Sequence, residues 1–146
     1  MRPKWSIYRF TNEKRNKDRN MKPEDLLFAS THEWAHVADG IATIGISAQA
    51  VEALTDLVYM ELPESGATVT AAEPFGEVES VKATSDLYSP VDGEIIEVNT
   101  SLPDNLDVLG SDPYGAGWIL KVKLSSEDAL QKLHDHDAYQ KLNSEG

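Results

Sequence analysis

The chain has 146 residues, no cysteine and a formal net charge of −12 at pH 7. This length is enough for one domain with a buried core, and the lack of cysteine excludes a disulfide framework and a thiolate metal site. So acidic a chain is expected to be repelled by nucleic acid and by anionic membranes. No apolar run approaches the roughly 18 residues needed to span a bilayer.

Residues 1–20 differ in charge from the rest of the chain. They contain seven basic and two acidic residues, a net charge of +5, so the remainder carries −17. They lack the apolar core of a secretory signal and the amphipathic, acid-poor pattern of a mitochondrial presequence. We expect residues 1–20 to be a disordered extension, or to precede a biological start at Met21, and residues 21–146 to form a single domain.

Short runs of β-type residues between turn residues predict eight strands, over 34–38, 41–46, 57–62, 67–70, 75–81, 86–91, 93–98 and 118–124. The Asp39-Gly40 pair predicts a tight hairpin between the first two strands. Ser47 is placed to cap a short helix that ends near Leu54. A loop or helical turn is predicted over 101–109.

The C-terminal part is expected to change from strand to helix. In the last strand, alternation assigns side chains to two faces: Trp118, Leu120, Val122 and Leu124 on one, and Ile119, Lys121 and Lys123 on the other. Ser125 or Ser126 then predicts the cap of a helix with Leu130 and Leu133 on its apolar stripe. A last short helix carries Ala138, Tyr139 and Leu142. Many short strands between glycine turns predict an antiparallel sandwich or barrel.

Lys82 lies between two of these predicted strands. A lone lysine is ordinarily a solvated surface charge, since lysine is almost never buried. Here small residues, Ser80, Ala83 and Ser85, surround it. A lysine held out at a hairpin tip between small residues is accessible to a modifying enzyme, and a cofactor attached to it could swing.

Two glycines occur at fixed distances from Lys82. Gly66 lies sixteen positions before it and Gly93 lies eleven positions after it. Each follows a turn-forming residue and begins a new apolar run, where the access of glycine to positive φ is useful. The spacing makes an unmodified surface lysine a poor interpretation of Lys82.

No enzyme motif competes with this interpretation. The chain has no Gly-x-Ser-x-Gly elbow, no P-loop and no dinucleotide fingerprint. His134 and His136 are two positions apart and so would not share a helix face, and we predict no metal site. His32, beside Glu33, is interpreted as structural rather than as a general base.

The spacing of the two glycines around Lys82 resembles the lipoyl/biotinyl carrier domains. The segment Glu79-Ser80-Val81-Lys82-Ala83 lacks the Met-Lys-Met of biotin carriers and is similar to the H-protein family of the glycine cleavage system. The resemblance extends from about Leu26 to about Leu142. Other segments match in order: Thr31-His32-Glu33-Trp34, Leu57-Val58-Tyr59-Met60-Glu61-Leu62-Pro63, Glu94-Ile95-Ile96-Glu97-Val98-Asn99 and Ser111-Asp112-Pro113-Tyr114-Gly115.

The resemblance implies a mainly β fold, an antiparallel β sandwich of the lipoyl/biotinyl type (a barrel-sandwich hybrid) with short helices, including C-terminal ones. It implies a monomeric carrier and not an enzyme, with lipoic acid attached to Lys82 by a lipoyl-transferring enzyme. Its partners would be the pyridoxal-phosphate-dependent glycine decarboxylase, the aminomethyltransferase and dihydrolipoamide dehydrogenase. Its location would be the cytoplasm in bacteria or the mitochondrial matrix in a eukaryote. Two alternatives stay open: a relay protein that passes lipoate to other acceptors, and an unmodified structural homologue.

The resemblance also implies a set of residues that bind the arm. Glu79 and Ser80 would flank the attachment point. Thr31, Glu33 and Gln49 would line a cleft that shelters the loaded arm, with Gln49 standing where the family often has an aromatic residue or histidine. Glu33 is the strongest candidate because a carboxylate can hold an ammonium group through a charge-assisted hydrogen bond.

Overall fold

The computed structural model describes residues 22–145, so the expected extension over residues 1–20 lies outside the described part of the chain. The described residues form two antiparallel sheets that do not close into a barrel. This agrees with the predicted mainly β sandwich. Three α-helices flank the sheets: α1 Ala48–Leu54, α2 Asp107–Ser111 and α3 His136–Glu145. Shorter 3-10 helices lie at Pro23–Asp25, Leu102–Asp104 and Asp128–Lys132.

Nine strands make up the two sheets: β1 Leu27–Phe28, β2 Glu33–Ala38, β3 Ile41–Ile46, β4 Leu57–Glu61, β5 Thr68–Val69, β6 Pro74–Ser80, β7 Thr84–Tyr88, β8 Asp92–Val98 and β9 Leu120–Ser126. The larger sheet has the order β1-β2-β3-β9-β8-β5, and the smaller has the order β4-β6-β7. The smaller sheet therefore consists of the Lys82 hairpin with β4 added beside β6.

The main apolar core draws on both sheets. Buried side chains from the larger sheet, such as Ile44, Ile95 and Val122, belong to one cluster with Val78 and Leu87 of the smaller sheet. Burying a side chain of this size contributes about 1.5–3 kcal/mol, so this cluster holds the lysine hairpin against the rest of the domain. A second cluster joins β1, β2 and α3 through four buried residues: Leu26, Phe28, Trp34 and Tyr139.

Local turn and cap signals were predicted correctly. Strands β2 and β3 pair across Asp39 and Gly40, which both have positive φ, 56° and 78°. That backbone is typical of the tight hairpin turn that an Asp-Gly pair favours. The Ser47 side chain accepts the backbone N–H of Ala50 at 3.1 Å, which confirms it as the cap of α1.

The two glycines that flank the Lys82 hairpin serve different purposes. Gly66 has a φ of 96°, as its turn position predicted. Gly93 does not have positive φ, so that part of the prediction is wrong. A Cβ at Gly93 would collide with the carbonyl oxygen of Lys123 on β9. Gly93 is therefore required for the close approach of two strands rather than for a turn.

The C-terminal predictions need correction at their boundaries. Strand β9 begins at Leu120, and Ile119 and Leu120 are both fully buried. Ile119 lies outside the regular alternation because its N–H bonds to the carbonyl of Ile44 before the strand begins, at 2.7 Å. Its assignment to the same face as Lys121 and Lys123 is therefore wrong.

Three other elements also differ from the predictions. The strand predicted to end at Val91 stops at Tyr88, close to Pro90, which has no N–H to offer a sheet. The helix expected after Ser126 is a 3-10 helix, and the side chain of Ser126 accepts the N–H of Asp128 at 3.1 Å. Strand β1 was not predicted.

Candidate functional site

Lys82 stands at the tip of the β6–β7 hairpin, as the sequence predicted. The last paired residues of the two strands are Glu79 and Thr84, and Lys82 lies in the short connection beyond them. Its side chain is exposed, and so is that of Glu79 on the adjoining strand. A partner can therefore reach the amine of Lys82 without opening the fold.

The side chain of Ser80 fixes the shape of this tip. Its hydroxyl oxygen accepts the N–H of Lys82 at 3.2 Å and the N–H of Ala83 at 3.1 Å. The hydroxyl also lies 3.1 Å from the carbonyl oxygen of Ala83, to which it donates. Ser80 is buried, so it acts on the backbone that presents Lys82. Its predicted place beside the attachment point is thus a structural one.

A second contact ties the tip to the neighbouring strand. The N–H of Val81 donates to the carbonyl of Asp56, the residue before β4, at 2.9 Å. Asp56 follows Thr55, whose φ of 63° is rare for a β-branched residue. The backbone around Lys82 is thus held by contacts within the hairpin and by a contact with the segment that joins α1 to β4.

A cleft of about 300 Å³ runs between the N-terminal part of the domain, α1 and β7. It is lined by all three residues that the resemblance assigned to the sheltering site, Thr31, Glu33 and Gln49. Ser85 and Asp86 of β7 also line it, so the cleft reaches the strand that begins just after Lys82. The base is largely apolar, formed by Ile46, Ala53, Leu54, Val78 and Leu87.

The prediction of the site omitted Ser85 and Asp86. Both lie just after the segment 79–83 that carried the family resemblance, and Asp86 is paired with Glu77 on β6. Only the three-dimensional structure shows that these residues line the same cleft as residues of α1. In the sequence, these residues stand out only because they lie three and four positions after Lys82. Strand periodicity alone does not show that they line a cleft.

Glu33 is a buried carboxyl group at the cleft wall. It is 1% exposed, which excludes the interpretation of a solvated charge at a strand end. The Thr31 hydroxyl donates to one of its oxygens, and the N–H of Tyr88 donates to the other at 2.8 Å. Burial raises the pKa of Glu33 to about 7, and the two hydrogen bonds offset only part of that effect. Glu33 can therefore exchange a proton near neutral pH.

His32 joins the cleft wall to the C-terminal helix. Its Nδ1 lies 2.6 Å from the Tyr139 hydroxyl, which also lies 2.7 Å from the Ser47 hydroxyl. Burial lowers the pKa of His32, which favours the neutral ring in this contact. The interpretation of His32 as structural agrees with this geometry. Tyr139 thereby connects a cleft residue, the cap of α1 and α3.

The C-terminal histidines are used in packing. His134 pairs with Phe28 through the backbone, and the ring of His136 packs on the Phe28 ring at 5.8 Å between centroids. Over residues 22–145, no three side chains of histidine or acidic residues are arranged to hold a metal ion. In the same range, no helix is long and apolar enough to cross a membrane.

Comparisons with known proteins identify the family of this chain. A model of the family described as Glycine cleavage H-protein matches residues 26–146. The glycine cleavage system H protein of Rhodopirellula baltica is 60% identical over 127 residues, which cover 84% of this chain and 96% of the relative. That of Rubrobacter xylanophilus is 56% identical over 108 residues, covering 74% of this chain and 86% of the relative.

A solved structure is similar as well. The crystal structure of a glycine cleavage system H protein from Mycobacterium marinum matches with a TM-score of 0.78 and 42% sequence identity. The match covers 84% of this chain and 99% of that one. The similarity therefore extends over nearly the whole of that protein and is not confined to the lysine hairpin.

Proposed function

This chain belongs to the glycine cleavage H-protein family and is a lipoyl carrier of that system, and we propose that Lys82 is the residue to which the lipoyl group is attached. The observation that supports Lys82 is its exposed position on a tip whose backbone Ser80 and Asp56 hold in place. Among residues 23–120, Lys82 is also the sole lysine or arginine, so this surface offers a modifying enzyme a single amine.

The residues around the tip fit a long covalent arm. Lys82 projects freely, and a cleft of about 300 Å³ with an apolar base opens beside the same hairpin. When bound, lipoic acid supplies a disulfide that can be reduced as it takes up a one-carbon unit. The apolar residues of the cleft would accommodate the arm and exclude water, while the carboxyl groups of Glu33 and Asp86 would hold an amine.

Glu33 has the properties required to hold a cation. An ammonium group beside it would replace part of the water that burial removes and would favour the charged carboxylate. Thr31 donates a hydroxyl hydrogen bond that orients this carboxyl group, and Gln49 adds an amide at the rim. These residues bind and orient; none of them needs to make or break a bond of the one-carbon unit.

We propose that chemistry takes place in partner enzymes and that this chain carries the intermediate between them. Glycine decarboxylase would load the arm, the aminomethyltransferase would unload it, and dihydrolipoamide dehydrogenase would reoxidise it. A lipoyl-transferring enzyme would attach the cofactor. The benefit of a covalent tether is proximity, because one arm presents the unit to successive active sites in an oriented form.

The test of attachment is mass spectrometry of the chain after reaction with lipoate, ATP and a lipoate–protein ligase. We expect one lipoyl group, found on the peptide that contains Lys82. Lys82→Arg should abolish the modification, and Lys123→Arg, a change at an exposed lysine on β9, should leave it intact. A lipoyl group retained by Lys82→Arg would refute the assignment.

The test of function is reconstitution of glycine oxidation with the partner enzymes. The lipoylated chain should support release of carbon dioxide from glycine, and Lys82→Arg should not. A lipoylated chain that fails here but gives up its lipoyl group to other acceptor proteins would be a relay protein instead.

A further inference from the structure

Exposed apolar side chains concentrate beside Lys82. Five large apolar residues are exposed among the side chains that the structure describes, and three of them lie at this end of the smaller sheet. Val58 is 57% exposed, Tyr59 is 49% exposed and Val81 is 67% exposed. We call these three residues the β4 patch. Val81 directly precedes Lys82, and its N–H bonds to Asp56 at the start of β4.

A β-bulge produces this exposure. Leu57 is opposite Ser80 and Tyr59 is opposite Glu79, so Val58 is an extra residue with no partner on β6. A bulge interrupts the regular alternation of a strand and twists its edge. Val58 and Tyr59 are accordingly both exposed although they are neighbours. In the described part of the chain β4 is an edge strand, and its bulge disfavours pairing with a further strand while presenting side chains.

Apart from Lys82, the charged side chains around the β4 patch are acidic. Asp56 precedes β4, Glu61 ends it, and exposed Glu79 pairs with Tyr59. Because Lys82 is the only lysine or arginine among residues 23–120, no other such cation offsets these carboxylates within the two strands. The complementary surface is an apolar site bordered by lysine or arginine side chains.

The length of an unmodified lysine side chain determines which enzymes must contact this surface. An extended lysine side chain carries its amine only about 6 Å from its Cα, whereas a lipoylated one reaches roughly 14 Å. An enzyme that acts on the bare amine must therefore contact the residues next to the tip. Enzymes that act on the far end of the finished arm can contact the carrier at a greater distance.

We propose that the β4 patch is the surface by which the lipoyl-transferring enzyme recognises this chain, through an apolar site bordered by basic side chains. This inference rests on the proposed attachment of lipoate to Lys82. It assigns to β4 a role in selection of the lysine that is separate from the shape of the turn.

The test is the steady-state kinetics of lipoate attachment by a lipoate–protein ligase, with the carrier as the varied substrate. The double variant Val58→Gln and Val81→Gln should raise the KM for the carrier about tenfold, since two apolar contacts are lost, with little change in kcat. Ile96→Gln is the matched control, because Ile96 is an exposed apolar strand residue, 43% exposed, on the other sheet. Its KM should equal that of the parent.

The charge part of the inference is tested with salt. Added salt should raise the KM of the parent, and Glu79→Gln should raise the KM at low salt and weaken its salt dependence. Glu94→Gln, an exposed carboxylate on β8, is the control and should change neither. Urea unfolding midpoints close to that of the parent would show that all variants are folded.

The outcomes separate the two proposals. If the parent accepts no lipoate, the proposed function fails. If the parent is modified and the double variant has the same KM, only the patch assignment is overturned. An equal loss in the reaction with dihydrolipoamide dehydrogenase, measured on fully lipoylated protein, would also overturn it. A double variant that has the KM of the parent but no longer forms a concentration-dependent dimer would show instead that the patch joins two copies of this chain. An effect of the double variant on KM that vanishes once residues 1–20 are removed would also overturn the assignment.

Discussion

At the scale of single residues, Glu33 combines burial with a position at the cleft. Its carboxyl group receives hydrogen bonds from Thr31 and Tyr88, and desolvation still dominates its protonation. It costs free energy to keep this buried carboxyl group charged, and a bound cation would offset part of that cost. The same residue would therefore affect both the stability of the fold and, under the proposed function, the retention of the arm.

The first prediction concerns Glu33 and pH. Its pKa is raised from 4.5 to about 7, so between these values the folded chain keeps a proton that the unfolded chain has lost. The contribution of Glu33 to stability therefore falls as pH rises through this range, by up to about 3 kcal/mol. Relative to the parent, Glu33→Gln should gain stability between pH 5 and pH 8, as measured by urea unfolding. Glu94→Gln should show no such gain, and a difference that does not vary with pH would contradict the prediction.

The second prediction concerns retention of the loaded arm. Glu33→Ala should accept lipoate normally, because Glu33 lies in the cleft and not at the tip. In the absence of the aminomethyltransferase, its loaded form should release ammonia and formaldehyde faster than the parent, because an amine in the cleft loses its carboxylate partner. Product release would be followed by colorimetric assays. Equal decay rates would remove Glu33 from the arm site.

At the scale of elements, the β6–β7 hairpin is shaped by one buried hydroxyl. Loss of that hydroxyl leaves the N–H groups of Lys82 and Ala83 without their acceptor. Because buried or constrained polar groups without partners cost free energy, the tip would rearrange. The shape of the tip therefore depends on the Ser80 side chain as well as on backbone bonds such as that of Val81 to Asp56.

The third prediction follows for Ser80→Ala. The variant should lose about 1–2 kcal/mol of stability and should be lipoylated more slowly than the parent. Ser125→Ala, on the exposed side of β9, serves as the control and should change neither quantity. Urea unfolding and initial rates of lipoate incorporation measure the two effects. Normal modification by a destabilised variant would show that the ligase does not need the turn shape.

Tyr139 connects helix α3 to residues beside the cleft. The Tyr139 ring stacks on Phe28 with centroids 4.5 Å apart and planes inclined by 11°. Its hydroxyl contacts His32 and Ser47, which lie beside the cleft and at the cap of α1. Tyr139 thus supports His32 and the cap of α1 without lining the cleft itself.

The fourth prediction concerns Tyr139→Phe. The substitution retains the stacked ring and removes the hydroxyl, so it should cost about 1–3 kcal/mol, because His32 and Ser47 lose a buried partner. Tyr59→Phe is the control, since Tyr59 is half exposed on an edge strand. Chemical unfolding of both variants tests the difference. Equal midpoints would show that the hydroxyl network contributes nothing to the fold.

At the scale of the whole molecule, the sequence predicts what depends on neighbouring residues. The Asp39-Gly40 turn and the Ser47 cap are local, and both were predicted correctly. Strand β1 has only two residues, too few to show an alternation, and the burial of Ile119 depends on its bond to Ile44, far along the chain. The cleft unites residues from four separate segments and was predicted only through family resemblance. The bulge at Val58 required the register of β4 against β6.

The fifth prediction concerns residues 1–20, whose seven basic and two acidic side chains give a net charge of +5. Their composition offers little apolar surface to offset the entropy cost of ordering them. A chain that starts at Met21 should therefore keep the melting temperature of the parent and accept lipoate at Lys82. Calorimetry and mass spectrometry test these two properties. A large loss of stability would show that the segment packs on the domain.

The double anchorage of the hairpin tip determines the space that a bound arm can explore. Because Ser80 and Asp56 hold the backbone here, a lipoyl arm on Lys82 would pivot about a fixed point, and its length would set its range. A hemisphere with a radius of roughly 14 Å encloses about 6 nm³, which corresponds to a local concentration of about 0.3 M at any site within it. A more mobile backbone at Lys82 would enlarge that volume and lower the local concentration of the carried group at each docked active site. A rigid backbone at this surface turn would thus limit how far the local concentration of the carried group falls during its transfer between enzymes.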